Sequence, residues 1–145
     1  MKDAVAVKTG MLIRRPVNEV FEAFVDPSIT TKFWFTKSSG KLEAGKKVRW
    51  EWEMFGVYAD IDVKIVEENK RIVIEWPTPV EWTFTSYGDA TYVHITNSGF
   101  EGETEDIISQ AIDSMGGFTM VLCALKALLE HNVILTVVAD KAEPS

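Results

Sequence analysis

The chain has 145 residues, 46% of them hydrophobic and 26% charged, with a net charge of −7 and a pI near 4.8. One domain is the default at that length, and such a domain can enclose a full core. The acidic balance, with no evident basic patch, argues against a duplex nucleic-acid binder, and a single cysteine, Cys123, excludes an internal disulfide and a cysteine-based zinc site.

No uninterrupted apolar run reaches the roughly 18 residues of a membrane-spanning helix, and MKDAVAVKTG lacks the apolar segment of a signal peptide. The expectation is one domain over 1–145 with a core of about 4–135 and a flexible tail at 140–145. It is expected to be cytoplasmic, with no membrane and no nucleic-acid partner. Lys41, Lys46, Lys47 and Arg49 come nearest to a basic group, and they read as a solvated strand edge answered by Glu51 and Glu53.

Residues 4–14 predict an opening strand, with Val5, Val7, Met11 and Ile13 on one side and Thr9 between them. Pro16 suits the first turn of a helix, where its missing N–H is not needed. Val17, Val20, Phe21 and Phe24 then form a helical stripe that Asp26-Pro27 ends, because a residue before proline is pushed out of the helical region. A second short helix is expected from Pro27 to about Phe33, carrying Ile29 and Phe33 inward.

From Thr36 to Phe100 the period changes to two. KVRWEWEM directs Val48, Trp50, Trp52 and Met54 to one face and Lys47, Arg49, Glu51 and Glu53 to the other, the pattern of an antiparallel strand with one wet face. VYADIDVKI repeats it with Val57, Ala59, Ile61, Val63 and Ile65. After a turn at Glu68-Asn69-Lys70 come RIVIEW, with Ile72, Ile74 and Trp76 inward, and a turn bracketed by Pro77 and Pro79. VEWTFTSY offers Val80, Trp82 and Phe84; Gly88-Asp89 reads as a tight hairpin; TYVHITN closes the sheet.

The last element is helical. Glu103, Glu105 and Asp106 complement its positive end. Ala111, Met115, Phe118, Leu122, Leu125 and Leu129 recur at intervals of four and three, and Ile108, Ile112, Val121 and Leu128 widen that stripe beyond an ordinary amphipathic face. Gly116-Gly117 interrupts it at about 1 kcal/mol each, which predicts a kink, a packing contact, or close backbone approach to a strand or ligand. Asn132 is expected to end the helix, with ILTVVA returning across the body.

The order therefore predicts an α+β fold: a curved antiparallel sheet of six to seven strands wrapped around a long C-terminal helix, with two short helices after the first strand. RPVNEVFEAFVDPSITTKFWF (15–35) resembles the entry motif APxxVFxAhxDPxxxxxWh, h being apolar, of the START-like, birch-pollen-allergen-like helix-grip superfamily. GGFTMVLCALKALLEH resembles the closing helix of its heat-shock protein 90 ATPase activator-like branch, with Gly117-Phe118 where a Gly-Trp pair is common, and SGFEGE (98–103) resembles the preceding loop. The resemblance runs from about residue 10 to 135. It implies a cavity between long helix and sheet, but it does not single out a function, because lipid carriers, aromatase/cyclases, hormone receptors and cochaperone domains share the fold.

Trp50, Trp52, Trp76, Trp82, Phe84, Met115, Phe118 and Leu122 point by alternation or stripe toward that interior and are the candidate ligand-pocket residues. A dry void of about 300 Å³ would cost near 7 kcal/mol, half or more of the usual 5–15 kcal/mol of total stability. So either the aromatics nearly fill the space, or a ligand or water does. Catalytic signals are poor. His94 alternates with Val93 and Ile95 and faces out; His131 complements the end of the helix dipole; Asp60, Asp62, Glu75 and Glu81 read as the wet side. Cys123 reads as a buried structural thiol, and Tyr58 and Tyr92 are candidates for hydroxyls at a pocket mouth.

No nucleophile, zinc or phosphate-loop motif is present, so no catalytic residue, metal or cofactor is expected. The leading expectation is a binding or carrier protein for a small apolar ligand. A chaperone-associated or other interaction protein and a cyclase- or hydrolase-like enzyme are the alternatives. Monomer and homodimer are both compatible with the sequence, the outer helix branch and VILTVVA offering surface for a dimer contact.

Overall fold

The computed structural model describes residues 5–144. Strand β1 (Val7–Ile13) leads into helices α1 (Val17–Val25) and α2 (Pro27–Thr30). Strands β2 (Lys37–Ser38), β3 (Lys47–Trp52), β4 (Val57–Glu67), β5 (Arg71–Trp76), β6 (Thr78–Tyr87) and β7 (Ala90–Asn97) follow, then the long helix α3 (Thr104–His131) and the short α4 (Val137–Asp140). The strands form one antiparallel seven-stranded sheet in the order β1-β7-β6-β5-β4-β3-β2. Consecutive hairpins build β2 to β7, and β1 returns to pair with β7, Ile13 opposite Thr91 and Val7 opposite Asn97. The expected strand start at residue 4 and the last tail residue, 145, lie outside the described residues.

Local chemistry places most of these elements. Pro16 immediately precedes α1, and the Asp26 carboxylate accepts from the Ser28 N–H to start α2. Thr30 is fully buried and donates its hydroxyl proton to the Ala23 carbonyl at 2.5 Å, tying the two helices together. Gly88 takes a φ of 68° in the two-residue β6–β7 hairpin, a conformation that favours glycine. Gly10 answers a different demand: a Cβ there would sit 2.5 Å from the Tyr92 ring, which crosses over it from β7.

The inward alternation holds for Val48, Trp50, Trp52, Ile61, Val63, Ile72, Ile74, Val80, Trp82, Phe84, Val93 and Ile95, all buried. It breaks at the β3–β4 hairpin. There β3 stops at Trp52, a 3-10 turn spans Glu53–Phe55, and Gly56 reverses the chain at φ 63°. Met54 and Val57, expected inside, are therefore 43% and 50% exposed. A register shift between Val63 and Ile65 likewise turns the end of β4, so that Val66 packs on the core in place of Ile65. α2 ends at Thr30 and not Phe33, although Phe33 is buried. Pro79 lies within β6, paired with Glu75, and the turn is made by Pro77 alone between Trp76 and Thr78.

Helix α3 starts in a capping box between Glu103 and Asp106 and ends at Asn132, whose φ of 53° makes the left-handed C-cap. It runs unbroken through Gly116 and Gly117, and a Cβ built on either meets no atom within 4 Å, so close approach of a strand does not explain these glycines. Phe118, Val121, Leu122, Ala124, Leu125 and Leu128 are buried against the sheet and short helices. Ile107, not Ile108, joins Val7 and Phe100 in a smaller cluster. Ile108, Ile112 and Met115 face solvent, and Cys123 is exposed, contrary to the expectation of a buried thiol.

By length and composition alone α3 is apolar enough to cross a membrane, which a scan for uninterrupted runs overlooks. In the fold it meets the sheet on one side, a cavity on another and presents an outer face on a third, and 33% of its most apolar stretch is buried. After it, Val133, Ile134 and Leu135 are exposed, and of the described tail residues only Val137 and Val138 return to the core.

Candidate functional site

A cavity of about 580 Å³ opens between α3 and the β3–β6 half of the sheet. Its deep wall is aromatic. Trp34, carried on the turn after α2, lies 5.8 Å from Trp76 and 6.0 Å from Phe118 between ring centroids. Trp52 and Trp76 stack at 5.5 Å and 11°, and Phe118 meets Trp76 edge-on at 6.3 Å. Each such pair is worth roughly 0.5–1.5 kcal/mol beyond its buried area, so the rings of the wall brace one another. Ala59 lies opposite Trp50 in the β3–β4 register. Its small side chain keeps the sheet surface low between strands that carry tryptophans, and it lines the cavity.

The mouth is mixed. Phe55, Val57 and Tyr58 of the β3–β4 hairpin form one lip, and Gln110, Asp113, Ser114 and Gly117 of α3 form the other. Tyr58 is held by Arg49, whose guanidinium lies 4.0 Å above the ring and donates to Asp60 at 2.9 Å. That hydrogen bond holds the Asp60 carboxyl below its ordinary range and pushes the arginine up. At the inner end of the α3 lip, Asn97 is 5% exposed, and its amide bonds Thr78, Pro79 and Ser114.

Of the eight sequence-derived pocket residues, the structure brings Trp52, Trp76 and Phe118 to the cavity surface. Trp50, Trp82, Phe84 and Leu122 do not reach it: they are packed as core. Trp50 stacks on Phe35 at 4.6 Å. Trp82 is ringed by Phe24, Trp34 and Phe118 at 5.9, 6.0 and 6.0 Å, and its indole N–H has no hydrogen-bond partner among the described residues. Met115 lies on the outer face, 40% exposed, because α3 is apolar on more sides than the sheet can cover.

Trp34, Thr78, Asn97 and Ser114 also line the cavity, although neither the apolar alternation nor the helical stripe marks them as pocket candidates. Asn97 shares the two-residue period of Val93 and Ile95, and this signal places it inside. Trp34 comes from a turn, where no period exists to read.

The family model described as Activator of Hsp90 ATPase homolog 1-like protein matches residues 14–130. The chain belongs to this family. Among solved structures, protein SSP2350 from Staphylococcus saprophyticus is 32% identical with a TM-score of 0.83, the match covering 91% of this chain and 96% of that one. Protein MLL2253 from Mesorhizobium loti is 21% identical (TM-score 0.78; 89% and 99% covered). The Aha1 dimer from Colwellia psychrerythraea is 18% identical (TM-score 0.73; 88% and 97% covered). No curated protein matches the sequence. Family and fold support a ligand-binding or interaction role in general.

The remaining candidates of this activator-like chain are structural or exposed. His94 is exposed beside Tyr92, with ring centroids 4.6 Å apart, and Tyr92 does not line the cavity, whereas Tyr58 does. His131 closes α3 and is exposed. The basic residues are paired, but not with Glu51 and Glu53: Lys41 faces Glu22, Lys46 Glu43, Lys47 Asp62 and Arg49 Asp60. Glu75 faces Lys64, and Glu81 bonds Arg71. Among the described residues no group of three His, Cys, Asp or Glu side chains is placed to hold a metal ion.

Proposed function

We propose that this activator-like chain binds a small, flat apolar molecule between α3 and the sheet. The observation that carries this reading is the prebuilt aromatic wall of Trp34, Trp52, Trp76 and Phe118 beside an open cavity of about 580 Å³. That volume falls within the roughly 300–1,000 Å³ of small-molecule sites, which are mostly apolar with a few polar groups. Because the cavity opens to solvent, water fills it in the free protein and the energetic objection to a dry void does not arise.

Titration with a panel of flat apolar compounds, read by tryptophan emission and thermal shift, is expected to give saturable responses. Gly117→Leu supplies the control. Its side chain grows into open space on the cavity wall, so binding should fall at least about tenfold, the ratio that roughly 1.4 kcal/mol represents, while the helix is not weakened. No response to any compound would overturn the reading.

A second reading, self-association, is favoured by the outer face of α3. Ile108, Ile112 and Met115, at i, i+4 and i+7, are 51%, 68% and 40% exposed, an apolar row that monomers seldom leave uncovered. The Colwellia neighbour is described as a dimer. Sedimentation of this chain and of Ile112→Lys tests it, with a dimer expected only for the unaltered protein.

A further inference from the structure

The polar side chains at the α3 end of the cavity have their protons already committed. Asn97 Nδ2 donates to the Pro79 carbonyl at 2.9 Å and to Thr78 Oγ1 at 2.8 Å. A carbonyl only accepts, so the amide has one orientation and its Oδ1 faces Ser114, 2.8 Å away. An amide oxygen carries no proton, and the Ser114 hydroxyl must be the donor. What Ser114 presents to the cavity is therefore lone pairs. The same logic applies one turn earlier: Gln110 Nε2 donates to the carbonyls of Glu101 at 2.8 Å and Asp106 at 3.1 Å, which leaves Oε1 as its free polar atom, again an acceptor.

The Asp113 carboxylate beside them only accepts, and among the described residues no lysine, arginine or histidine lines the cavity. Thr78 and, on the opposite lip, Tyr58 keep hydroxyl protons; the α3 side has none to give.

We propose that this end of the cavity selects the head group of the ligand: a hydrogen-bond donor, hydroxyl or protonated amine, carried on a flat apolar ring, with the carboxylate of the same skeleton excluded. The inference rests on the apolar-ligand reading above and adds its polarity. A donor satisfies acceptors that Asn97 and the backbone have fixed. A carboxylate would set lone pairs against lone pairs and a second negative charge against Asp113.

Two pairs of naphthalene probes test it, with dissociation constants measured by equilibrium dialysis on the full chain. 2-Naphthol and 2-methoxynaphthalene are both neutral and differ in the donor; 2-naphthylmethylamine and 2-naphthoate differ in charge. The naphthol is expected to bind at least about tenfold tighter than its methyl ether, since one mismatched hydrogen bond at a partly buried group is worth roughly that ratio. The amine is expected to bind tighter than the carboxylate, Asp113 adding only the modest attraction of an exposed charge. Ser114→Ala with Asp113→Asn should bring the dissociation constants of naphthol and ether together, read as the ratio between the two compounds and so independent of any common change in affinity. Equal affinity of naphthol and ether in the unaltered protein, or a preference for naphthoate, overturns the inference and leaves the apolar site standing. Failure of all five compounds, naphthalene included, overturns the apolar-ligand reading and the inference with it.

Discussion

Leu122 and Met115 sit two turns apart on one helix and look alike in a list of apolar residues. Leu122 is fully buried among the core side chains of sheet and helices, while Met115 is 40% exposed and touches Thr119 of its own helix. Truncating a buried leucine removes both transfer energy and packing, so Leu122→Ala should destabilise by about 2–5 kcal/mol. Met115→Ala should change stability by no more than about 0.5 kcal/mol. Urea unfolding curves of the two variants give both numbers, and comparable losses would mean that α3 is rotated from the orientation described. The contrast among the tryptophans follows the same rule: Trp50 and Trp82 are structural because rings enclose them, and Trp52 and Trp76 are available to a ligand because one side of their stacked pair faces open space.

Helix α3 carries apolar residues on nearly every side, although only two of its three surroundings ask for them. One side meets the sheet and short helices, one lines the cavity, and one faces outward. The paired glycines fall where cavity wall and outer face adjoin, with open space at both Cβ positions. Glycine costs about 0.5–1 kcal/mol relative to alanine in a helix interior, and no contact here requires it. Gly116→Ala is therefore expected to stabilise the protein by that amount and to raise the melting temperature by roughly 2–4 °C, as about 1 kcal/mol does at this size. Differential scanning calorimetry reads it, and a lower melting temperature would show that the helix needs the glycine for a bend. Gly117, on the cavity side, couples the same helix to function, because any side chain placed there narrows the site.

At the scale of the whole molecule, the first strand and the last long helix hold each other across most of the sequence. Glu130, whose side chain is 9% exposed, accepts from the Arg14 N–H at 2.8 Å and from Lys126 Nζ at 2.6 Å; Lys126 also donates to the Leu12 carbonyl at 2.8 Å. Desolvation opposes ionisation of this carboxyl. The Arg14 N–H, the Lys126 ammonium and nearby positive charge outweigh it and hold the group below its ordinary value of 4.5. Since the folded value is the lower, the stabilisation is full above that pH and is lost as the pH falls through the folded value. Glu130→Ala should cost about 2 kcal/mol at neutral pH, and the difference from the unaltered protein should close steadily below pH 4.5. Unfolding curves from pH 7 to pH 3 check the sign, and a difference that widens on acidification would remove the assignment.

Alternation makes β-strands readable without coordinates, because every second side chain of a strand must share a face. Val48, Trp50, Ile61, Ile72, Ile74, Trp82 and Phe84 could be placed inside from that period alone, and with them the α+β arrangement; the family resemblance rests instead on the motifs at 15–35 and in the last helix. Period two fails where hydrogen-bond registers shift or hairpins turn, which is why Met54, Val57 and Ile65 could not be placed in advance. A helix that is apolar nearly all round has no legible face. Whether Met115 or Leu122 lay inside, and whether Cys123 was buried, depended on how much surface the curved sheet had left to cover. The site belongs to that second kind of information. Trp34, Asn97 and Ser114 come from a turn, a strand end and a helix, and the donor and acceptor directions that define the cavity arise from contacts between residues far apart in the chain.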